Sequence, residues 1–304
     1  MRYEDLSFDD LGTKRQRPMY LSDFHNFRAG MNMRTYPHDP NTYINDVFLP
    51  TIDKWIRSHE RVKYIGLDAL PFHHCILGVT QTLDELHMRY GDRLVVWEGE
   101  YKYHRRLTNG NIRQITDYLE LQAGDVFVVS MPSCITTNSI PDFNLLLDYC
   151  YGEQISVHID GAWFGQCRDF ELDVSHPAIK SVSVSLSKAF GMGSQRIGIR
   201  YCRYNKNGPI KIANDYGYQN VSDAWIGVHA MKYFGTDYWW KNFEEQYEKV
   251  CADFGLLESD SIHVAWGPDG EYYGIRTPLR MLIEGKYDIR GTDRGLNEIE
   301  RNEE

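Results

Sequence analysis

The sequence predicts an α/β protein built on a doubly wound, mostly parallel sheet with a reduced small C-terminal lobe, and three observations carry that prediction. Apolar, β-branched runs recur at 93–97, 125–130, 154–159, 180–186 and 196–203, with helical periodicity between several of them, which is the alternation a parallel sheet requires. Two of the runs deliver chemical groups at the strand end where open α/β sheets bind ligands: Asp160 closes Val157-His-Ile-Asp160, and Lys188 follows the run 179–186. The 304 residues suffice for one large domain and a smaller lobe.

Composition narrows the function classes. Hydrophobic residues make up 42% of the chain, ordinary for a globular protein, and no stretch approaches the roughly 18 apolar residues of a membrane span. A net charge of −10 without a broad basic stripe argues against nucleic acid as a partner, and Lys14-Arg15-Gln16-Arg17 reads as solvated arm. The acidic start lacks the apolar core of a secretion signal, so a cytoplasmic protein is expected. Six cysteines without a Cys-x-x-Cys pair signal neither a disulfide framework nor a zinc site.

Residues 1–41, punctuated by Pro18, Pro37 and Pro40, read as an extended arm. Ile44, Val47, Phe48, Ile52, Trp55 and Ile56 then recur at helical spacing over 42–61, ahead of a first sheet strand at 64–67. His73 and His74 are adjacent on an extended segment, so their side chains point to opposite faces and a metal is rejected. Gly78-Val79-Thr80 opens an amphipathic helix that ends near Gly91; a helix N-terminus suits an anion, although Thr80 alone reads equally as a helix cap. The strand at 93–97 delivers Glu98-Gly-Glu-Tyr101-Lys-Tyr103-His104, and a helix is read at 112–121 before the strand at 125–130. Pro141-Asp142 starts a helix to about 151. Past the strand at 196–203 the chain reads as one long helical stretch over 221–257, then two strands within 261–283 joined at Gly267-Pro-Asp-Gly270, then a charged end. A domain of 42–220 and a small lobe of 221–304 follow from this order.

The chemistry concentrates in Ser185-Leu-Ser187-Lys188-Ala-Phe-Gly-Met-Gly-Ser-Gln-Arg196-Ile-Gly198. Burial lowers a lysine's pKa, and a partly neutral amine can form a Schiff base with an aldehyde cofactor. Ser185, Ser187 and Arg196 add hydroxyls and a forked cation suited to a phosphate. Alone, Lys188 would read as a solvated strand-end lysine. Upstream, however, stands Asp160-Gly-Ala162-Trp163-Phe-Gly165. The pair of patterns, Asp-x-Ala-aromatic-x-Gly and Ser-x-Ser-Lys-x-Phe-Gly-x-x-x-x-Arg-x-Gly, resembles the aspartate-aminotransferase superfamily, the fold type I enzymes dependent on pyridoxal 5'-phosphate (PLP).

That resemblance implies a cofactor tied to Lys188, with Asp160 at the ring nitrogen and a phosphate held by Gly78, Val79, Thr80, Ser185, Ser187 and Arg196. It implies an aromatic stacked on the ring and a histidine near Asp160, matched by Tyr101 and His104, with Tyr103 the competing stacker. Ala162 and Trp163 fall in the same motif. Trp163 departs from the family's tyrosine, and an indole N–H donates but cannot accept or titrate. The family's Asn-Pro-Thr-Gly turn is absent after Ser130; Asn138, Ser133 and Thr136 stand nearest. The resemblance further implies a homodimer, a small-molecule amino donor and a 2-oxo acid as substrates, and an aminotransferase as the simplest activity. Decarboxylase, lyase or racemase chemistry, or a PLP-fold binding protein without turnover, are the alternatives, since fold does not decide which bond is cleaved. Little chain follows Lys188, and Arg276 and Arg280 are the candidates for a substrate carboxylate, read on a late strand.

Overall fold

The computed structural model describes residues 3–11, 19–133, 140 and 142–285. After α1 (Ser22–Ala29) comes one continuous helical run of α2 (Pro40–Tyr43), a wider π-type turn (Ile44–Phe48) and α3 (Leu49–Arg57), with Ile44, Phe48, Ile52, Trp55 and Ile56 buried as their spacing predicts. There follow β1 (Val62–Ile65), β2 (Phe72–Ile76), α4 (Val79–Tyr90), β3 (Leu94–Trp97), α5 (Tyr103–Leu107), β4 (Arg113–Ile115) and β5 (Val126–Ser130). Then come α6 (Phe143–Gly152), β6 (Ser156–Asp160), β7 (Phe170–Asp173), β8 (Ile179–Ser185), the single turn α7 (Leu186–Ala189), β9 (Gly198–Cys202) and α8 (Pro209–Asp215). The chain continues through α9 (Val221–Phe234), α10 (Tyr238–Phe254), β10 (Leu257–Glu258), β11 (Val264–Trp266), β12 (Tyr272–Gly274) and α11 (Arg276–Glu284).

Seven strands form the main sheet in the order β2-β9-β8-β6-β5-β3-β4, parallel throughout except that β9 runs antiparallel to both neighbours. Residues 126–130 of β5 are all buried, as are all but Lys180 of β8, because helices cover both faces of such a sheet and leave no solvated side to alternate toward. In-register pairing of Ser130 with Asp160 and of Asp160 with Ser183 brings the carboxyl ends of three strands together. Toward the C-terminal end of the described residues, β10-β11-β12 form an antiparallel sheet, with α10 and α11 packed together beside it. The turn between α9 and α10 is pinned to the main sheet region by Trp55 Nε1, which donates to Gly235 O (2.7 Å), and by the buried His59–Asp237 pair (3.0 Å).

Five expectations are corrected. The helix read at 112–121 is instead β4 and a 3-10 turn: Asn109 and Gly110 take positive φ (51° and 88°), and Glu120 Oε1 accepts from the amides of Thr116 and Asp117 (both 2.9 Å), closing the turn and leaving Arg113–Ile115 to pair with β3. The stretch 221–257 is two helices, broken where Gly235 and Asp237 adopt positive φ and the Asp237 carboxylate accepts the amides of Glu60 and Arg61. The chain after Ile275 is helical, with Pro278 in the first turn where it has no N–H to lose. β1 pairs with β7 in a separate two-stranded sheet. Finally, the N-terminal segment packs on its own chain: Met19 and Phe24 are buried, and Phe24 meets Phe234 edge-on at 5.0 Å and Trp239 at 5.5 Å. Lys14, Arg15, Arg17, Thr136, Asn138, Pro141 and the charged C-terminal end lie outside the described residues.

The five described cysteines are buried and unpaired. Among the described residues no helix is long and apolar enough to cross a membrane, and no group of three or more His, Cys, Asp or Glu could hold a metal. His73 and His74 do face opposite sides of β2, His73 against Tyr201 (4.8 Å) and His74 toward Cys202 (4.0 Å).

Candidate active site

Lys188 stands one turn past the end of β8, partly exposed, with Nζ 5.0 Å from the centre of the Trp163 ring. Behind it, Trp239 Nε1 donates to Ala189 O (2.8 Å), fixing the turn from the buried side. Gly165 lets the backbone come close: a Cβ there would lie 2.5 Å from the Ala189 Cβ. The turn that carries Lys188 is therefore held at its backbone, and the amine lies over the Trp163 ring.

Asp160 ends β6, 5% exposed, with Oδ1 accepting the Ala162 amide at 2.8 Å. Burial above all, and the nearby Glu100 carboxylate after it, push its carboxyl up to about 7, against the lowering effects of the Ala162 amide and of Lys188. The group is thus held near its titration point and would be returned to its charged form by a cation placed against it.

The residues expected to hold a phosphate come together at the start of α4. Arg196 Nη2 donates to Thr80 Oγ1 (2.7 Å) and Nη1 to Ser187 Oγ (3.3 Å), while the Arg196 amide donates to Asp223 Oδ2 (2.9 Å). Gly78 takes a φ of 76°, and a Cβ there would lie 2.6 Å from Arg196 Nη2, so only glycine leaves the guanidinium room at this turn. Val79 begins α4, so the helix N-terminus starts at the residue next to the Thr80 that Arg196 holds. Ser185 is buried at 3% exposure in the extended residue before α7; the Arg196 bonds go to Ser187 and Thr80 and leave it out.

Tyr101 and Tyr103 stack in parallel (5.8 Å, 13°); Tyr101 is 40% exposed, and Tyr103 donates to Asp84 Oδ1 (2.5 Å) and feels the charge of Arg196. His104 differs from the expectation. It lies buried on α5 and its Nδ1 shares a hydrogen bond with His87 Nε2 (2.9 Å), while burial, with His87 beside it, lowers its pKa to about 3. The carboxylate whose charge bears on Asp160, opposing that of Lys188, is Glu100, held by the Ser130 amide (2.8 Å) and hydroxyl (2.5 Å).

Sequence reasoning missed two residues here. Glu100 was passed over in an acidic turn, although its position just past a strand end was a usable signal. His263 gave none: it is far along the chain in the small lobe, yet its ring lies 4.5 Å from that of Trp163, and burial together with the cations Lys188 and Arg276 lowers its pKa to about 3. Arg276, on a helix rather than a strand, bears by its charge on His263, whereas Arg280 pairs with Glu284 (2.7 Å).

No family model and no curated protein sequence matches the chain. Among solved structures it is similar to a PLP-bound C-S lyase from Staphylococcus hominis, at a TM-score of 0.59 and 12% identity over 87% of this chain and 80% of that one. It is similar to a Thermus thermophilus aspartate aminotransferase double mutant (0.58, 13% identity, 90% of each chain) and to an aminotransferase from Mycobacterium tuberculosis (0.57, 12%, 91% and 92%). By strand order, by the placing of Asp160 and Lys188 at neighbouring strand ends, and by these likenesses, the chain has the fold of the fold type I PLP-dependent aminotransferases and C-S lyases.

Proposed function

We propose that the protein is a PLP-dependent enzyme acting on an amino acid or other primary amine, and most simply an aminotransferase passing an amino group from a small-molecule donor to a 2-oxo acid. The observation that carries this reading is the convergence of the Lys188 amine, the Asp160 carboxylate and the Gly78–Thr80–Ser187–Arg196 cradle at one end of the sheet. The cradle fits a phosphate: a glycine without room for a Cβ, a helix N-terminus, two hydroxyls and a guanidinium. When bound, PLP supplies an electron sink for the bond broken at the substrate. Asp160 would face the ring nitrogen and stabilise its proton, since an opposite charge favours the charged form. Lys188 would carry a proton to and from the substrate α-carbon, and Tyr101 or Tyr103 would cover the ring. Val79, Ala162 and Trp163 would line the same site, and His104 would act through its hydrogen bond with His87.

Lyase chemistry is the second reading, favoured by the similarity to the S. hominis C-S lyase and by an indole, Trp163, near the amine in place of a titratable phenol. A donor screen separates the two. Transamination consumes the donor beyond one equivalent per bound cofactor only when a 2-oxo acid acceptor is present, whereas elimination releases ammonia over many turnovers without one. No absorbance change of the loaded protein with any donor would instead mark a binding protein.

Arg196→Ala is expected to weaken PLP binding about ten- to a hundredfold, against several-fold for Ser187→Ala, because hydrogen bonds from a charged group contribute roughly twice what neutral ones do. Absorbance titration of the apo-protein measures it, and wild-type affinity in Arg196→Ala would make the arginine structural.

We also propose a homodimer in the cytoplasm. The own-chain packing of Met19–Ala29 removes the argument from a loose arm, and what supports the dimer is the resemblance together with an exposed aromatic pair, Tyr216 and Tyr218, stacked at 5.9 Å and 70% and 73% exposed. Sedimentation is expected to give twice the chain mass; a monomer active at full rate on dilution contradicts it.

A further inference from the structure

Apart from the candidate active site, a cavity lined by several charged residues opens beneath the far end of α4, at the amino ends of β6 and β8. It encloses about 80 Å³, and its walls include Glu85, Arg89, His158, Lys180, Arg200 and Lys206. Lys180 and Ser181 lie at the start of the strand that Lys188 follows, so the cavity is roughly 15 Å or more from the Lys188 turn at the rise of a strand.

Its charge is unbalanced. Four cations line it against a single carboxylate, and that carboxylate is already committed: Glu85 Oε1 accepts from Arg200 Nη1 (2.9 Å) and Arg89 Nη2 (3.2 Å), and Oε2 accepts the Ile210 amide (3.0 Å). Two buried nitrogens have no hydrogen-bond partner, His158 Nε2 and Arg200 Nε, on residues that are 8% and 5% exposed. His158 Nδ1 is fixed by Ser181 Oγ at 2.7 Å, which sets the ring and leaves Nε2 as the free position. Buried polar atoms without partners are rare, and those that persist call for a bound water, an ion or a function. Burial first, and then the charges of Arg200, Lys180, Arg89 and Lys206, lower the His158 pKa to about 3, so the four cations all bear on one point. A water would satisfy the nitrogens but leave the excess charge; an anion answers both.

We propose that this cavity binds a tetrahedral oxyanion, the phosphoryl group of free phosphate or of a small phosphate monoester, with His158 Nε2 and Arg200 Nε as donors and Arg89, Lys180 and Lys206 supplying charge. α4 then has an anion site near each end, its first residues with Arg196 and its last turn through Arg89.

The test is calorimetric titration with inorganic phosphate, and with glycerol phosphate as the second arm, of the wild-type protein and of Arg196→Ala, Lys206→Glu and His158→Leu. A saturable site that persists in Arg196→Ala is expected, weakened about tenfold by Lys206→Glu and ten- to a hundredfold by His158→Leu, the range for a hydrogen bond to a charged group. Lys206 is exposed, so its variant keeps the test sound should His158→Leu fail to fold. Tighter binding of glycerol phosphate identifies a monoester as the source, and tighter binding of phosphate identifies the free ion. Loss of the site in Arg196→Ala would place the anion in the other cradle and overturn the proposal, as would absence of saturable binding or equal affinity in Lys206→Glu.

Discussion

Lys188→Ala is expected to lower turnover by about 10⁴-fold or more, since it removes the covalent anchor and the proton carrier in one change, and general acid-base catalysis alone contributes about 10²- to 10⁴-fold. The geometry makes this the residue to lose. Its backbone is fixed by the Trp239 bond to Ala189 O and its amine is presented over the Trp163 ring at 5.0 Å. The Arg196 cradle does not depend on the amine, so the variant should still bind PLP non-covalently. Steady-state turnover and cofactor titration are the two readouts. Borohydride reduction of the wild-type protein followed by peptide mapping should recover the pyridoxyl group on Lys188, and its recovery on any other lysine would sink the assignment.

Asp160→Asn is expected to do two opposite things. Turnover should fall on the order of 10²- to 10³-fold, the loss typical of one preorganised electrostatic partner. The apo-protein should at the same time become more stable at neutral and alkaline pH. Burial and Glu100 raise the folded-state pKa of Asp160 from 3.8 to about 7. Between those values the unfolded chain releases a proton that the folded chain retains, so the contribution of this carboxyl to stability falls as pH rises from about 4 to about 7 and is level above. Asparagine carries no such cost. Unfolding of the two apo-proteins at pH 4 and pH 8 should therefore show near equality at the lower value and an advantage of a few kcal/mol for the variant at the higher, at about 1.36 kcal/mol per pKa unit. Equal stabilities at pH 8 would mean that Asp160 ionises freely in the folded chain. An advantage for the variant at pH 8 combined with lost turnover would mark Asp160 as a carboxylate kept at the expense of stability, a pattern common at functional sites.

The sequence by itself determined the long buried strands and placed Asp160 and Lys188, the two proposed anchors, at or just past their ends. Its β-branched runs are buried on both faces, so their hydrophobicity is continuous and needs no knowledge of partners to be read, and Asp160 and Lys188 follow directly from where those runs end. Arg196, Gly78, Thr80 and Ser187 were legible as types suited to a phosphate, and local spacing was enough to group Ser187 with Arg196. Gly78–Thr80, more than a hundred residues upstream, was joined to that arginine through the family resemblance and not through any local spacing; in the structure they meet because β2 and β9 pair antiparallel and place the start of α4 beside Arg196. Only the tertiary structure decided that His104 turns to His87, that Glu100 raises the pKa of Asp160, and that His263 from the small lobe reaches Trp163. Short elements such as β4 were misread for the same reason: three residues carry no period, and Arg113–Ile115 became a strand only because β3 offered an open edge to pair with. Periodicity records what each segment buries, whereas which segments meet is fixed by long-range pairing and charge that no local pattern encodes.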